Sequence, residues 1–298
     1  MTNQAMLKRV TSVILLLVAL LMSWVNGYSQ NDTLPKTSHF RVTSYYLSNA
    51  VYSGRKDSLA VPYLKTSISY LHKSGFTASA GFSALVKPAN PITIDAFWLD
   101  AGYEFTLGGK FNGGINLTKT FYSDASFSVS SEIKGEAGAY LGYDAGIVSI
   151  NTSAYAIFSQ STDISSTLGL SHLFTIEMKD NALTIEPSFT AGFGTRNFYE
   201  AYFKNRKFAT TGTGKGHSGP KRNNTSPSTI TIKNSNGYGL LDYETALMIK
   251  YESLKWGLYI NPTYAVPVNP TSYILNNITK TEHLTNSFYF ELGGHLDF

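Results

Sequence analysis

Apolar and polar residues alternate with a period of two along almost the whole chain, right up to its last residue. On the closing stretch "FELGGHLDF" and the residues before it, Phe288, Phe290, Leu292, Gly294, Leu296 and Phe298 share one face. Ser287, Tyr289, Glu291, Gly293, His295 and Asp297 share the other. The pattern recurs where Phe97, Leu99, Ala101, Tyr103, Phe105 and Leu107 oppose Trp98, Asp100, Gly102, Glu104 and Thr106. It recurs again where Leu241, Tyr243, Leu247, Ile249 and Tyr251 oppose Asp242, Glu244, Lys250 and Glu252. Successive side chains of a strand point to opposite faces, so this rhythm demands strands with one greasy side. A helical rhythm is absent beyond residue 30.

Marking each run predicts about twelve strands, over 41–52, 61–72, 76–86, 93–107, 111–121, 126–141, 146–159, 165–178, 183–199, 237–252, 256–268 and 284–298. Every second connection is a tight turn: "HKSG", "GGK", "GYDAG", "KDN" and "ESLK". The alternate ones are longer or looser, among them "SGRKDSLA", "VKPANPI", "YSDA", "QSTDIS" and the stretches 204–236 and 269–283. Short turns at one end and long loops at the other belong to transmembrane β-barrels, with the short set in the periplasm. A soluble β-sandwich also alternates. Against it stand the one-sided loops, the terminal Phe298 and an export signal. In a barrel the last strand closes against the first and lipid covers its apolar face, so it needs no cap. The expected fold is therefore all-β, an antiparallel up-and-down transmembrane barrel.

The export signal lies at the N-terminus. Lys8 and Arg9 precede an apolar run from Val13 to Met22, followed by Gly27, Tyr28 and Ser29. A basic segment, a short apolar core and small residues describe a secretory signal peptide, and the run is too short for a spanning helix. The organisation read from the sequence is a signal peptide at 1–29, a short periplasmic segment at 30–40 and a barrel at 41–298. The chain has no cysteine, which rules out a lipoprotein anchor, disulfides and thiolate metal sites. Only 15% of its residues are charged, and without Lys8 and Arg9 the charges nearly cancel. Nothing in this balance calls for nucleic acid.

The even/odd rule sorts Asp100, Glu104, Glu132, Lys134, Glu136, Glu186, Glu244, Lys250 and Glu291 to the lumen, with Lys65, Asp242, Glu252 and Asp297 among others. Acids outnumber bases there. The expectation is a porin-like channel for small solutes or ions with a mild cation preference. The alternative is a non-conducting structural or surface-interaction barrel that works through its outer loops. Size leaves both open, since eight strands are usually filled and sixteen leave a channel.

The stretch 204–233 carries Lys204, Arg206, Lys207, Lys215, Lys221, Arg222 and Lys233 without one acid. Its composition is that of a disordered segment, placed outside, where phosphates of lipopolysaccharide or anionic solutes would meet it. Its Gly-x-Gly-Lys fragment lacks the spacing of a phosphate loop. No catalytic set emerges: His172 falls on the outward face between Leu170 and Phe174 with no serine beside it, and no histidines pair at metal-ligand spacing. Neither an enzyme, a cofactor nor a metal is expected.

Two resemblances add to this reading. The outward aromatics and leucines of the last strand, Phe290, Leu292, Leu296 and Phe298, resemble the signal that outer-membrane proteins present to the barrel-assembly machinery. Over residues 47–85, Ser48-Asn49-Ala50-Val51-Tyr52-Ser53-Gly54 and Tyr70-Leu71-His72-Lys73-Ser74-Gly75-Phe76 are similar to the opening hairpins of small TorF-type porins. That resemblance implies a porin-like family and carries no functional residue. The barrel reading places the protein in the outer membrane, among lipid and small solutes.

Overall fold

The computed structural model describes residues 37–56, 62–86, 92–123, 126, 128–197, 230–232, 237–275 and 278–298. The signal peptide expected at 1–29 and the basic residues 204–222 and Lys233 lie outside them.

Twelve strands close into one antiparallel barrel. They are β1 (His39–Leu47), β2 (Tyr63–Leu71), β3 (Phe76–Leu85), β4 (Thr93–Leu107), β5 (Phe111–Tyr122) and β6 (Gly135–Asp144). The second half holds β7 (Ser149–Phe158), β8 (Thr162–Ser171, resumed at Phe174–Met178), β9 (Asn181–Gly194), β10 (Gly239–Ser253), β11 (Trp256–Pro267) and β12 (Ser287–Asp297). Each strand pairs with its neighbours in sequence, and β12 pairs with β1 from Arg41↔Asp297 to Leu47↔Glu291, so no edge is left open. The seam is fastened by Arg41, whose Nε and Nη2 donate to the two carboxylate oxygens of Asp297 at 2.7 and 2.8 Å.

The sorting of faces follows the sequence rule. Phe288 (64% exposed), Leu292 (53%) and Leu296 (53%) stand outside, as do Phe97, Leu99, Ile115, Leu117, Leu168 and Leu258. A soluble protein would not leave such a continuous apolar surface to water. Aromatic rings frame it at both ends: Phe40 with Tyr70 (centroids 5.1 Å apart), Phe111 with Tyr143 (4.7 Å) and Tyr251 with Trp256 (5.4 Å) at one, Phe82 with Phe97 (6.5 Å) at the other. An even number of tilted antiparallel strands, an apolar band and two aromatic rows are the architecture of an outer-membrane barrel.

The short turns sit where the sequence puts them, with Gly75 (φ 93°) and Gly146 (φ 87°) in the left-handed region that L side chains avoid. Several boundaries differ. The first strand spans His39–Leu47 rather than 41–52; Ser48 still donates its N–H to the Phe290 carbonyl at 2.9 Å, and beyond it the chain leaves the wall. The expected strand 126–141 shrinks to Gly135–Asp144. Ahead of it the chain makes a 3-10 turn, Val129–Glu132, because serine hydroxyls satisfy the backbone locally: Ser128 Oγ accepts from the Ser130 N–H at 3.3 Å. The "QSTDIS" loop narrows to Ser159–Ser161, so one connection at the loop end is as tight as a periplasmic turn. Leu241, assigned to the outer face, is the extra residue of a bulge between Gly192 and Phe193 partners and is buried.

Candidate functional site: the lumen wall and its mouth

Inward side chains of the mid-barrel form a polar and aromatic lining. Asp100 on β4 accepts from Ser79 Oγ on β3 (2.8 Å) and Thr118 Oγ1 on β5 (2.6 Å), which pins its carboxylate to the wall. Glu244 on β10 accepts from Tyr289 OH on β12 at 3.2 Å. Glu136 on β6 and Glu291 on β12 both lie within electrostatic reach of Lys65 on β2. The Lys65 ammonium stands over the rings of Tyr45 (5.8 Å) and Trp98 (5.9 Å), held by cation–π attraction. Trp98 in turn lies across Gly81: a Cβ there would sit 2.4 Å from the indole. Tyr155 covers Gly138 in the same way, at 2.3 Å. Only glycine leaves room for a ring flattened on the neighbouring strand.

The site residues expected from the sequence separate into groups. Asp100, Glu136, Glu186, Glu244 and Glu291 occupy inward strand positions and are half-buried. Glu104 is exposed, towards the periplasmic end of β4. Lys250 also lies at that end, ion-paired with Glu252, which His295 Nε2 approaches at 3.4 Å. Two residues are corrected. Glu132 is not on a strand but closes the 3-10 turn, and Lys134 is exposed beside the buried Ile133. The cluster Glu132–Lys134–Glu136 therefore does not share one inward face, because the turn breaks the alternation between them.

The lining that sequence reasoning missed is at the mouth. The connection after β1 folds inward as a small hairpin, Val51–Tyr52 with Arg55–Lys56. Arg55 is 3% exposed and donates to the carbonyls of Ser53 (3.1 Å), Leu241 (3.5 Å), Val268 (3.2 Å) and Asn269 (3.2 Å) and to Glu282 (3.4 Å). Apart from Ser53, which lies in the hairpin itself, those partners belong to the β10–β11–β12 side of the barrel. On the other side, the Val51–Tyr52 strand of the hairpin runs close to the 3-10 turn, and Tyr52 is half-buried. Burial, and after it the Glu136 carboxylate, push its phenol well above the ordinary range. The hairpin thus spans the mouth from one wall to the other. A second bulge supports the far side: Asp95 accepts from Tyr63 OH (2.9 Å) and Ser126 Oγ (2.8 Å), tying the 123–134 connection down. Only the glycine and the charge of "SGRK" hinted at this loop.

Between the hairpin and the β11–β12 connection lies a cavity of about 270 Å³ lined by Arg55, Lys56, Tyr273, Glu282 and His283. On the outside of the barrel, His172 meets Phe174 edge-on at 4.3 Å, as expected of an outward position.

No protein-family model and no curated protein matches the chain. Among solved structures, the KdgM porin is similar with a TM-score of 0.44 and 10% identity, over 88% of this chain and 99% of that one. The COG4313 outer membrane channel from Pseudomonas putida F1 gives 0.43 and 10%, over 91% and 99%. LpxR from Salmonella typhimurium gives 0.45 and 7%, over 87% and 100%. None of these likenesses reaches a TM-score of 0.5, so none carries a function to this chain.

Proposed function

We propose that this barrel is a porin-like outer-membrane channel for passive passage of small solutes or ions, with a mild preference for cations. The observation that carries the reading is the charge of the mid-barrel lining. Asp100, Glu136, Glu186, Glu244 and Glu291 are set around it, and among the described residues Lys65 is the one inward base at mid-height, since Arg41 and Lys250 are taken up by Asp297 and Glu252 near the periplasmic end. Carboxylates close to a narrow path act strongly on a passing ion, while charges on distant loops are screened within about 8 Å at physiological salt. Single-channel recording on the refolded protein in planar bilayers tests this directly. Discrete conductance steps with a cation-directed reversal potential in a salt gradient are expected; silence would leave the barrel without a channel function.

The latched hairpin favours a second reading, a non-conducting barrel that acts through its outer surface. The same recording separates the two. The remaining expectations rest on the sequence: a cleaved signal peptide over 1–29, delivery by the barrel-assembly machinery through the Phe290–Phe298 strand, and an external basic segment. Trypsin added to intact cells is expected to cut at Lys215 or Arg222 without breaching the outer membrane.

A further inference from the structure

Charge is nearly absent from the outside of this wall. On the described residues of the twelve strands, Lys119 is the one formally charged side chain at an outward position, between Leu117 and Phe121 on β5. Lysine is costly at the lipid-facing midplane and nearly free of cost at the interface. Lys119 stands one outward position on the membrane side of Phe121, which pairs across the sheet with Phe97. Its ammonium leans on the Phe121 ring, 5.3 Å from the centroid, and so points to the loop-end headgroups rather than to the midplane.

A second lysine joins it from the residue directly before β6, Lys134. Lys119 is registered opposite Gly135, and the Thr120 N–H donates to the Lys134 carbonyl at 3.1 Å. Unbroken alternation back from Glu136 would turn Lys134 inward, yet it is exposed and Ile133 is the buried one. The cause is a bulge: the Lys134 N–H donates to the Phe158 carbonyl at 2.7 Å, and Gly135 is registered with Phe158 as well. Gly135 has no side chain to separate the two ammonium groups. No carboxylate is in ion-pair range of either lysine among the described residues. Phe97 (53% exposed), Phe121 (52%) and Phe158 (43%) supply outward apolar surface at neighbouring register positions.

We infer that Lys119 and Lys134 form a binding site for the phosphate of an anionic lipid headgroup in the outer leaflet, with Phe97, Phe121 and Phe158 against its acyl chains. Two lysines at the height of the headgroups, on a wall whose described strand residues carry no other outward charge, match a phosphate carried on a lipid better than one free in solution. A lysine near an anionic surface contributes about 1 kcal/mol, so losing both weakens binding roughly thirtyfold.

The test uses the refolded full barrel in neutral detergent and bisphosphorylated lipid A as probe, with binding read by native mass spectrometry. Lys119→Gln/Lys134→Gln is expected to bind roughly thirtyfold more weakly, and lipid A stripped of both phosphates to bind the wild type equally weakly. Lys255→Gln, at a periplasmic turn, is expected to leave binding unchanged. The double variant removes charge from a lipid-facing wall, so it is expected to fold; a heat-modifiable gel shift verifies this, and Lys119→Arg/Lys134→Arg is expected to keep binding. Equal retention of lipid A by wild type and the Gln variant, or equal binding of the dephosphorylated form to the wild type, overturns the site. Displacement of lipid A by millimolar inorganic phosphate would assign the lysines to free anions and overturn the lipid proposal.

Discussion

The close approach of Trp98 to Gly81 is a contact of single atoms with consequences for the lumen. A methyl at Gly81 meets the indole at 2.4 Å and the Thr66 carbonyl at 2.8 Å, so the ring must leave and Lys65 loses one of its two aromatic supports. Gly81→Ala is expected to cost about 1–3 kcal/mol through overpacking, with a red-shifted Trp98 emission when measured in a Trp256→Phe background of the mature chain. Outside the wall the governing contact is with lipid. Leu292→Arg places a cation on the lipid-facing side of β12, at a cost of about 2–4 kcal/mol near the midplane. His295→Arg enters the inward set beside Glu252 and Asp297. Folding yield into lipid vesicles, read by gel mobility, is expected to drop sharply for the first and little for the second; equal tolerance would contradict the facing of β12.

Among the elements, the inward hairpin 51–56 decides how much of the mouth is open. Its anchor is a guanidinium whose N–H groups fan out to four carbonyls and the Glu282 carboxylate. A lysine cannot reproduce that fan. Removing one partner of a buried pair costs about 3–5 kcal/mol because the other charge is left behind. Arg55→Ala is therefore expected to free the hairpin and raise the unitary conductance, and Arg55→Lys to fail to restore the wild-type value. An unchanged conductance in Arg55→Ala would mean that the hairpin does not obstruct the path.

For the whole molecule, selectivity is a sum over the wall rather than the property of one strand. Glu136, Glu244 and Glu291 stand on β6, β10 and β12, around different parts of the circumference. Converting the three to Gln leaves Lys65 less opposed, and the reversal potential in a salt gradient is expected to move towards anions. Deleting residues 208–224 is expected to move it less if that segment lies outside the barrel, as the sequence suggests, because charge there is screened within about 8 Å. Should only the deletion alter selectivity, the filter lies at the mouth. Stability of the closed form draws on the seam: Arg41→Ala removes a partly exposed bidentate ion pair, an expected loss of about 1 kcal/mol in urea unfolding from lipid vesicles.

What the sequence determined by itself was the wall. Period-two alternation in Phe288–Phe298, and the tight turns at Gly75 and Gly146, are local properties of consecutive residues, and they carry strand number, facing and closure with them. The same alternation assigns Asp100, Glu136, Glu186, Glu244 and Glu291 to inward positions, because no bulge falls at those residues. Tertiary structure decided everything that breaks the alternation. Lys134 turned outward, Glu132 left the wall and Leu241 was buried because bulges and a serine-capped turn shift register by one residue, and a shift of one exchanges the faces. The mouth hairpin was equally invisible, since the groups that hold Arg55 lie about two hundred residues further along the chain. They come within reach only once the barrel has closed.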